Sequence, residues 1–148
     1  MRVVAAMLAI ALVPAVGTFT SVAGTPVAAA QTPAPTGQSL ADAATFGAVA
    51  TLAPLCGLRD EAWSFDLRRA AMQAATGSAA TDDAGLARAP GNGQVAAALG
   101  YADMEALEDF AADTPAATCA SLRANPALAR ADAAVAAFRR RRDGKPVG

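Results

Sequence analysis

The chain has 148 residues and a formal net charge of −1, and 44 residues are alanine, so most of the 54% hydrophobic fraction is methyl groups. It contains no histidine, which excludes Ser-His-Asp and Cys-His nucleophilic catalysis, His-ligated metals and CxxCH haem attachment. After residue 30 about 118 residues remain, enough for one small domain, and only 22 of them are Leu, Val, Phe, Met, Trp or Tyr.

The N-terminus carries one charge, Arg2, followed by an uncharged apolar run from Val3 to Val16. Pro26 stands just before the small-residue run Ala28-Ala29-Ala30. This order predicts a secretory signal peptide over residues 1–30 and a mature start at Gln31. A second small-residue site follows Ala23. The apolar run is short for a membrane span and Pro14 interrupts it, and no later stretch is long and apolar enough to cross a bilayer. The expected location is therefore periplasmic or secreted, with no membrane span after cleavage.

Export gives the cysteines meaning. Cys56 and Cys119 are the two in the chain, they are not in a C-x-x-C arrangement, and an oxidising compartment favours a disulfide between them. A closed loop of about 64 residues corresponds to roughly 4 kcal/mol of chain entropy.

Residues 31–38 are rich in Pro, Thr and Gln and read as a flexible lead-in. The helical domain is expected over 39–142. Ser39 is read as the N-cap of a first helix from Leu40, with Asp42 in its first turn and Pro54 at its end. Asp60 and Glu61 open a second helix that stops at Thr76-Gly77. Its stripe is Trp63, Leu67, Ala70, Ala71 and Ala74, and Phe65 and Met72 are read as a second buried stripe. Residues 78–93, with one leucine and the run Pro90-Gly91-Asn92-Gly93, predict a mobile loop with at most a helical turn after Thr81. A short helix over Gln94–Leu99 is expected to end at Gly100, and Asp103 to cap another over Met104–Ala112. Thr114-Pro115 and Asn125-Pro126 each pair a capping residue with proline at the first helical position. The last helix has Leu128, Ala131, Val135 and Phe138 on one face, and residues 143–148 form a flexible tail. No alternating strand pattern occurs after residue 30. The fold class is all-α, with about five helices and one disulfide.

Three clusters invite a chemical reading. Asp103, Glu105, Glu108, Asp109 and Asp113 lie close together with no base between Arg88 and Arg123. Glu105 and Glu108 share one helix face, which suits a solvated surface better than a glycosidase pair across a cleft. The regular acidic spacing and central Gly of an EF-hand are absent. Arg139, Arg140, Arg141 and Arg142 complement the dipole of a helix C-terminus; their functional alternative is contact with an anionic membrane surface or acidic partner. Trp63, Phe65, Tyr101 and Phe110 are assigned to the core, with a ligand pocket as the alternative. No histidine is present, and Lys145 is the one lysine, so the serines have little to activate them.

These residues point to an exported, non-enzymatic helical protein without a cofactor, binding another protein or an envelope component. Its candidate surfaces are Arg139 to Arg142 and the acids Glu105, Glu108 and Asp109. A small-molecule or lipid carrier is the alternative function, and a carboxylate enzyme the third. Beyond residue 30 there are 11 bases against 13 acids, which excludes nucleic-acid binding by net field. N-terminal sequencing of the exported protein should return Gln31 as the first residue; a membrane-pelleting form that still begins at Met1 would refute the signal peptide.

Overall fold

The computed structural model describes residues 34–112 and 114–144. The expected signal peptide, residues 31–33 of the lead-in and residues 145–148 of the tail lie outside the described residues. The described chain is all-α, with six helices: α1 (Gly37–Leu55), α2 (Glu61–Thr76), α3 (Asp83–Ala87), α4 (Asn92–Ala112), α5 (Pro115–Ala124) and α6 (Pro126–Arg142).

Most helix boundaries follow local chemistry. Asp60 caps α2, its side chain accepting from Trp63 N at 2.7 Å. Gly77 closes the helix at φ 65°, a left-handed conformation that costs glycine little. Asn125 caps α6 by accepting from Ala127 N at 2.9 Å, with Pro126 in the first turn. At α5 the same order recurs, with Thr114 at the N-cap position and Pro115 in the first turn.

Two boundaries differ from the sequence reading. Helix α1 starts at Gly37, inside the expected lead-in, because Thr36 rather than Ser39 is the N-cap. Thr36 Oγ1 accepts from Ser39 N at 3.1 Å, and the Ser39 hydroxyl donates back to Thr36 O at 2.9 Å. Helix α4 runs unbroken through Gly100 and Asp103. A helix-interior glycine costs about 1 kcal/mol relative to alanine, and the long contact of α4 with α1, the most extensive helix pair, outweighs that. The two helices come very close. A Cβ on Gly47 would lie 3.0 Å from Leu99 O, so a side chain there would crowd the crossing and glycine eases the approach.

Helix α1 lies at the centre, touching α2, α4, α5 and α6. On one side Val49, Ala50 and Ala53 pack with Trp63 and Leu67 of α2, Leu122 of α5, and Leu128, Ala131 and Val135 of α6. On the other, Ala43 packs with Ala71 and Ala75 of α2 and with Val95 and Leu99 of α4. Leu128, Ala131, Val135 and Phe138 are all buried, as their spacing requires. The segment between α2 and α4 is tied down. Leu86 is buried, Gln73 Nε2 donates to Ala80 O at 2.9 Å, and Arg69 pairs with Asp83.

Cys56, at the end of α1, is bonded to Cys119 of α5, with a Cα–Cα distance of 5.4 Å, inside the range a disulfide spans. It holds the short α5 against the central helix, where α5 buries little beyond Leu122. Replacing both cysteines by serine should lower unfolding free energy by about 2–5 kcal/mol in a urea titration. An unchanged midpoint would mean that the crosslink constrains neither the folded nor the unfolded chain.

Candidate functional site

Helix α2 is buried on two sides, and its second buried side is polar. Asp66, Ala70 and Gln73 recur at i, i+4, i+7 and all are buried. Phe65, expected there, is instead 58% exposed, and Ala74 also faces solvent. The Asp66 side chain is only 6% exposed and is compensated from α6. Arg139 Nε donates to Asp66 Oδ2 at 2.6 Å and Arg142 Nη1 to Oδ1 at 3.1 Å, while Arg69 stands 3.6 Å away.

The arginine run is thereby divided. Val135, Phe138, Arg139 and Arg142 share one face of α6 at i, i+3, i+4, i+7, so the core stripe continues into two of the four arginines. Arg140 and Arg141 point outward and are exposed. The candidate basic surface keeps half its charge, and the other half anchors the helix. The signal was legible in the register of the run against Phe138. Its partner, an acid 73 residues earlier, was not.

A second polar cluster joins three helices. Arg68 of α2 donates to Ser64 Oγ at 2.5 Å, to Thr51 Oγ1 of α1 at 3.0 Å and to Asp103 Oδ1 of α4 at 3.1 Å. The Thr51 hydroxyl donates to the same Asp103 oxygen at 2.7 Å, and the Ser64 hydroxyl to Ala50 O at 2.6 Å. Asp103, expected as a cap, is thus an interhelical bridge.

This cluster is the floor of an open groove of about 440 Å³ between α1, α2 and α4, walled by Pro54, Leu55, Phe65 and Leu107, with Glu61 also lining it. Leu55, Phe65, Tyr101, Met104 and Leu107 are the exposed large hydrophobic side chains among the described residues. Three of the five line this groove. Tyr101, Met104 and Leu107 follow one another at i, i+3, i+6 and make a ridge along α4 beside it. Of the aromatic residues assigned to the core, Trp63 is buried, whereas Tyr101 is 71% exposed.

The sequence acids separate in space. Glu105 and Glu108 are exposed on the outer face of α4 with Tyr101, at i, i+4, i+7 from it. Asp109 turns the other way, toward a depression bounded by Leu52 and by Thr118, Ser121 and Asn125 of α5 and its end. Elsewhere, Arg59 grips Asp132 of α6 through two bonds, 2.8 and 2.5 Å, and lies 5.8 Å from the Trp63 ring centre. Its hydrogen bonds hold the Asp132 carboxyl below the ordinary aspartate range, and Arg69 does the same for Asp83. Among the described residues no group of three or more Cys, Asp or Glu is placed to hold a metal ion, and no helix is long and apolar enough to cross a membrane.

Asp66→Asn should lower stability by about 1.5–3 kcal/mol, the range for hydrogen bonds to charged groups, toward the low end because both arginines stay partly hydrated. The double change Arg140→Gln/Arg141→Gln should stay within about 0.5 kcal/mol of the parent. Thermal melts of the two variants decide it, and equal losses would contradict the division of the run.

Compared with family models, with curated proteins and with solved structures, the chain finds no match.

Proposed function

We propose that this is an exported, non-enzymatic binding protein that engages another protein through the groove between α1, α2 and α4. The observation that carries this reading is the convergence of Leu55, Phe65 and Leu107, each about half exposed, on one open depression. Scattered exposed apolar residues are normal on a soluble protein, but a contiguous group rimmed by polar residues marks an interaction surface. The shape favours a macromolecule over a carried small molecule, which is held in a concave site that encloses most of its surface. Export is supported by the N-terminal sequence and by the Cys56–Cys119 disulfide, a bond retained in oxidising compartments.

The arginines contribute less to this function than their number suggests, since Arg139 and Arg142 are engaged by Asp66. Changing all four at once would confound binding with folding.

The test is capture of a partner from an envelope extract with the parent protein and with Phe65→Asp, Leu107→Asp and Arg140→Gln/Arg141→Gln. Each aspartate variant should weaken capture of the same partner at least tenfold, the effect of losing a central apolar anchor, with an unchanged melting temperature. The arginine variant should retain it. Capture indifferent to both aspartate changes, or robust turnover of a substrate by the purified protein, would refute the proposal.

A further inference from the structure

We infer, on the basis of the protein-binding reading above, that the occupant of this groove is a cationic amphipathic helix, one with a leucine-like stripe flanked by lysine or arginine. Three features of the groove lead there.

The first is the state of its floor. Thr51, Ser64, Arg68 and Asp103 spend their hydrogen bonds on one another and on Ala50 O. Arg68 is therefore not a free cation waiting for an anion, and Asp103 is not a free acid. An extended peptide needs backbone partners along its length, and the described chain contains no strand edge to supply them. A helix satisfies its own backbone and asks only for apolar contact, the helix-in-groove mode with anchors at i, i+3 or i+4, and i+7.

The second is the walls. Pro54 and Leu55 end α1, Phe65 stands on α2 and Leu107 on α4, so apolar side chains border the trough from three helices. Met104 and Tyr101 are also exposed on α4, outside the groove itself. The walls offer a short row of apolar contacts from three helices.

The third is the sign of the rim. Glu61 lines the groove. Helix α4 carries the exposed Glu105 and Glu108 beside Tyr101 on its outer face and not one Lys or Arg over Asn92–Ala112. Arg68 is matched by Asp103, and Arg59, at the entry to α2, is matched by Asp132 of α6. The exposed Arg141 borders Gln73 and Gly77, at the opposite end of α2 from Glu61. The field around the apolar walls is thus negative. It attracts a basic partner and repels an anionic bilayer.

The experiment uses fluorescent peptides of about 18 residues, five turns at 3.6 residues per turn. They share a leucine stripe and differ only in the other positions, all Lys, all Gln or all Glu. Anisotropy titrations with the purified, disulfide-bonded protein should rank them Lys, then Gln, then Glu, with the Lys peptide at least tenfold tighter than the Glu peptide. Raising salt from about 50 to 300 mM should narrow the gap, as screening of exposed charges requires. Phe65→Asp and Leu107→Asp should weaken the Lys peptide at least tenfold even though each adds a negative charge. Glu61→Gln/Glu108→Gln should weaken it severalfold and flatten the salt dependence.

Equal binding of the three peptides, still lost in the aspartate variants, would overturn the basic partner and leave the protein-binding groove standing. No binding of any peptide, with partner capture still sensitive to Phe65→Asp, would overturn the helical occupant alone. Lys-peptide binding unchanged or tightened by Phe65→Asp would reduce the effect to bare attraction and overturn the groove as its site. Co-sedimentation of the parent, but not of Phe65→Asp, with neutral or anionic phospholipid vesicles would overturn both readings in favour of a lipid surface.

Discussion

The packing of α6 onto α2 depends on one buried carboxylate. Asp66, 6% exposed, would be costly inside the domain without compensation, and Arg139 and Arg142 supply it from the last turns of α6. The demand works in one direction more than the other. The arginines, about 40% exposed, keep much of their hydration, whereas Asp66 has little water to turn to. An alternative packing of α6 that moved Arg139 away would leave that charge unpaired, so the pair selects one arrangement of the two helices. Such selection matters in this chain because more than half of its buried apolar residues are alanine, whose methyl groups discriminate poorly between registers.

The same shortage of large side chains explains the other fastenings. Helix α5 buries Leu122 and little else, and the disulfide holds it to the end of α1. The α1–α2 turn is joined to α6 by Arg59 and Asp132. Helix α4 meets α1 at Gly47, where the backbone of one approaches the backbone of the other closely. Each substitutes a directional bond or a close backbone contact for the apolar area that leucines would have supplied.

Much of this was legible in the sequence. The all-α class, the disulfide, the two Asx/Thr-Pro helix starts and the buried face of α6 follow from composition, pairing arithmetic and 3.6-residue spacing, which are local or nearly so. The failures are of another kind. Gly100 and Asp103 look like a stop and a cap because local chemistry says so, and only the pairing of α4 with α1 overrides it. Ser39 reads as the cap from local chemistry, whereas Thr36 holds that place because its hydroxyl oxygen accepts from the Ser39 amide in the first turn. Phe65 reads as inward because large apolar side chains usually go there, while Asp66 beside it occupies the buried position. A buried ion pair between residues 66 and 139 leaves no trace in either segment read alone, beyond the register of Arg139 and Arg142 with Phe138. The groove leaves no trace for the same reason, since Leu107 of α4 joins Leu55 and Phe65 of the neighbouring α1 and α2 only in the folded chain.

The exposed apolar side chains become intelligible once the floor beneath them is considered. In a chain with so few large residues, placing Phe65, Leu107, Leu55, Met104 and Tyr101 outside the core forgoes burial worth roughly 25 cal/mol per Å² for each. The fold tolerates this because α1, α2 and α4 are joined at that end by Thr51, Ser64, Arg68 and Asp103. Those charge-assisted bonds fix the spacing of the three helices without drawing the wall residues inward. The groove has polar contacts below and apolar side chains above, so its walls carry little of the fold. A site built this way can vary Phe65 or Leu107 at small cost in stability, whereas a change at Arg68 or Asp103 would disturb stability and groove shape together.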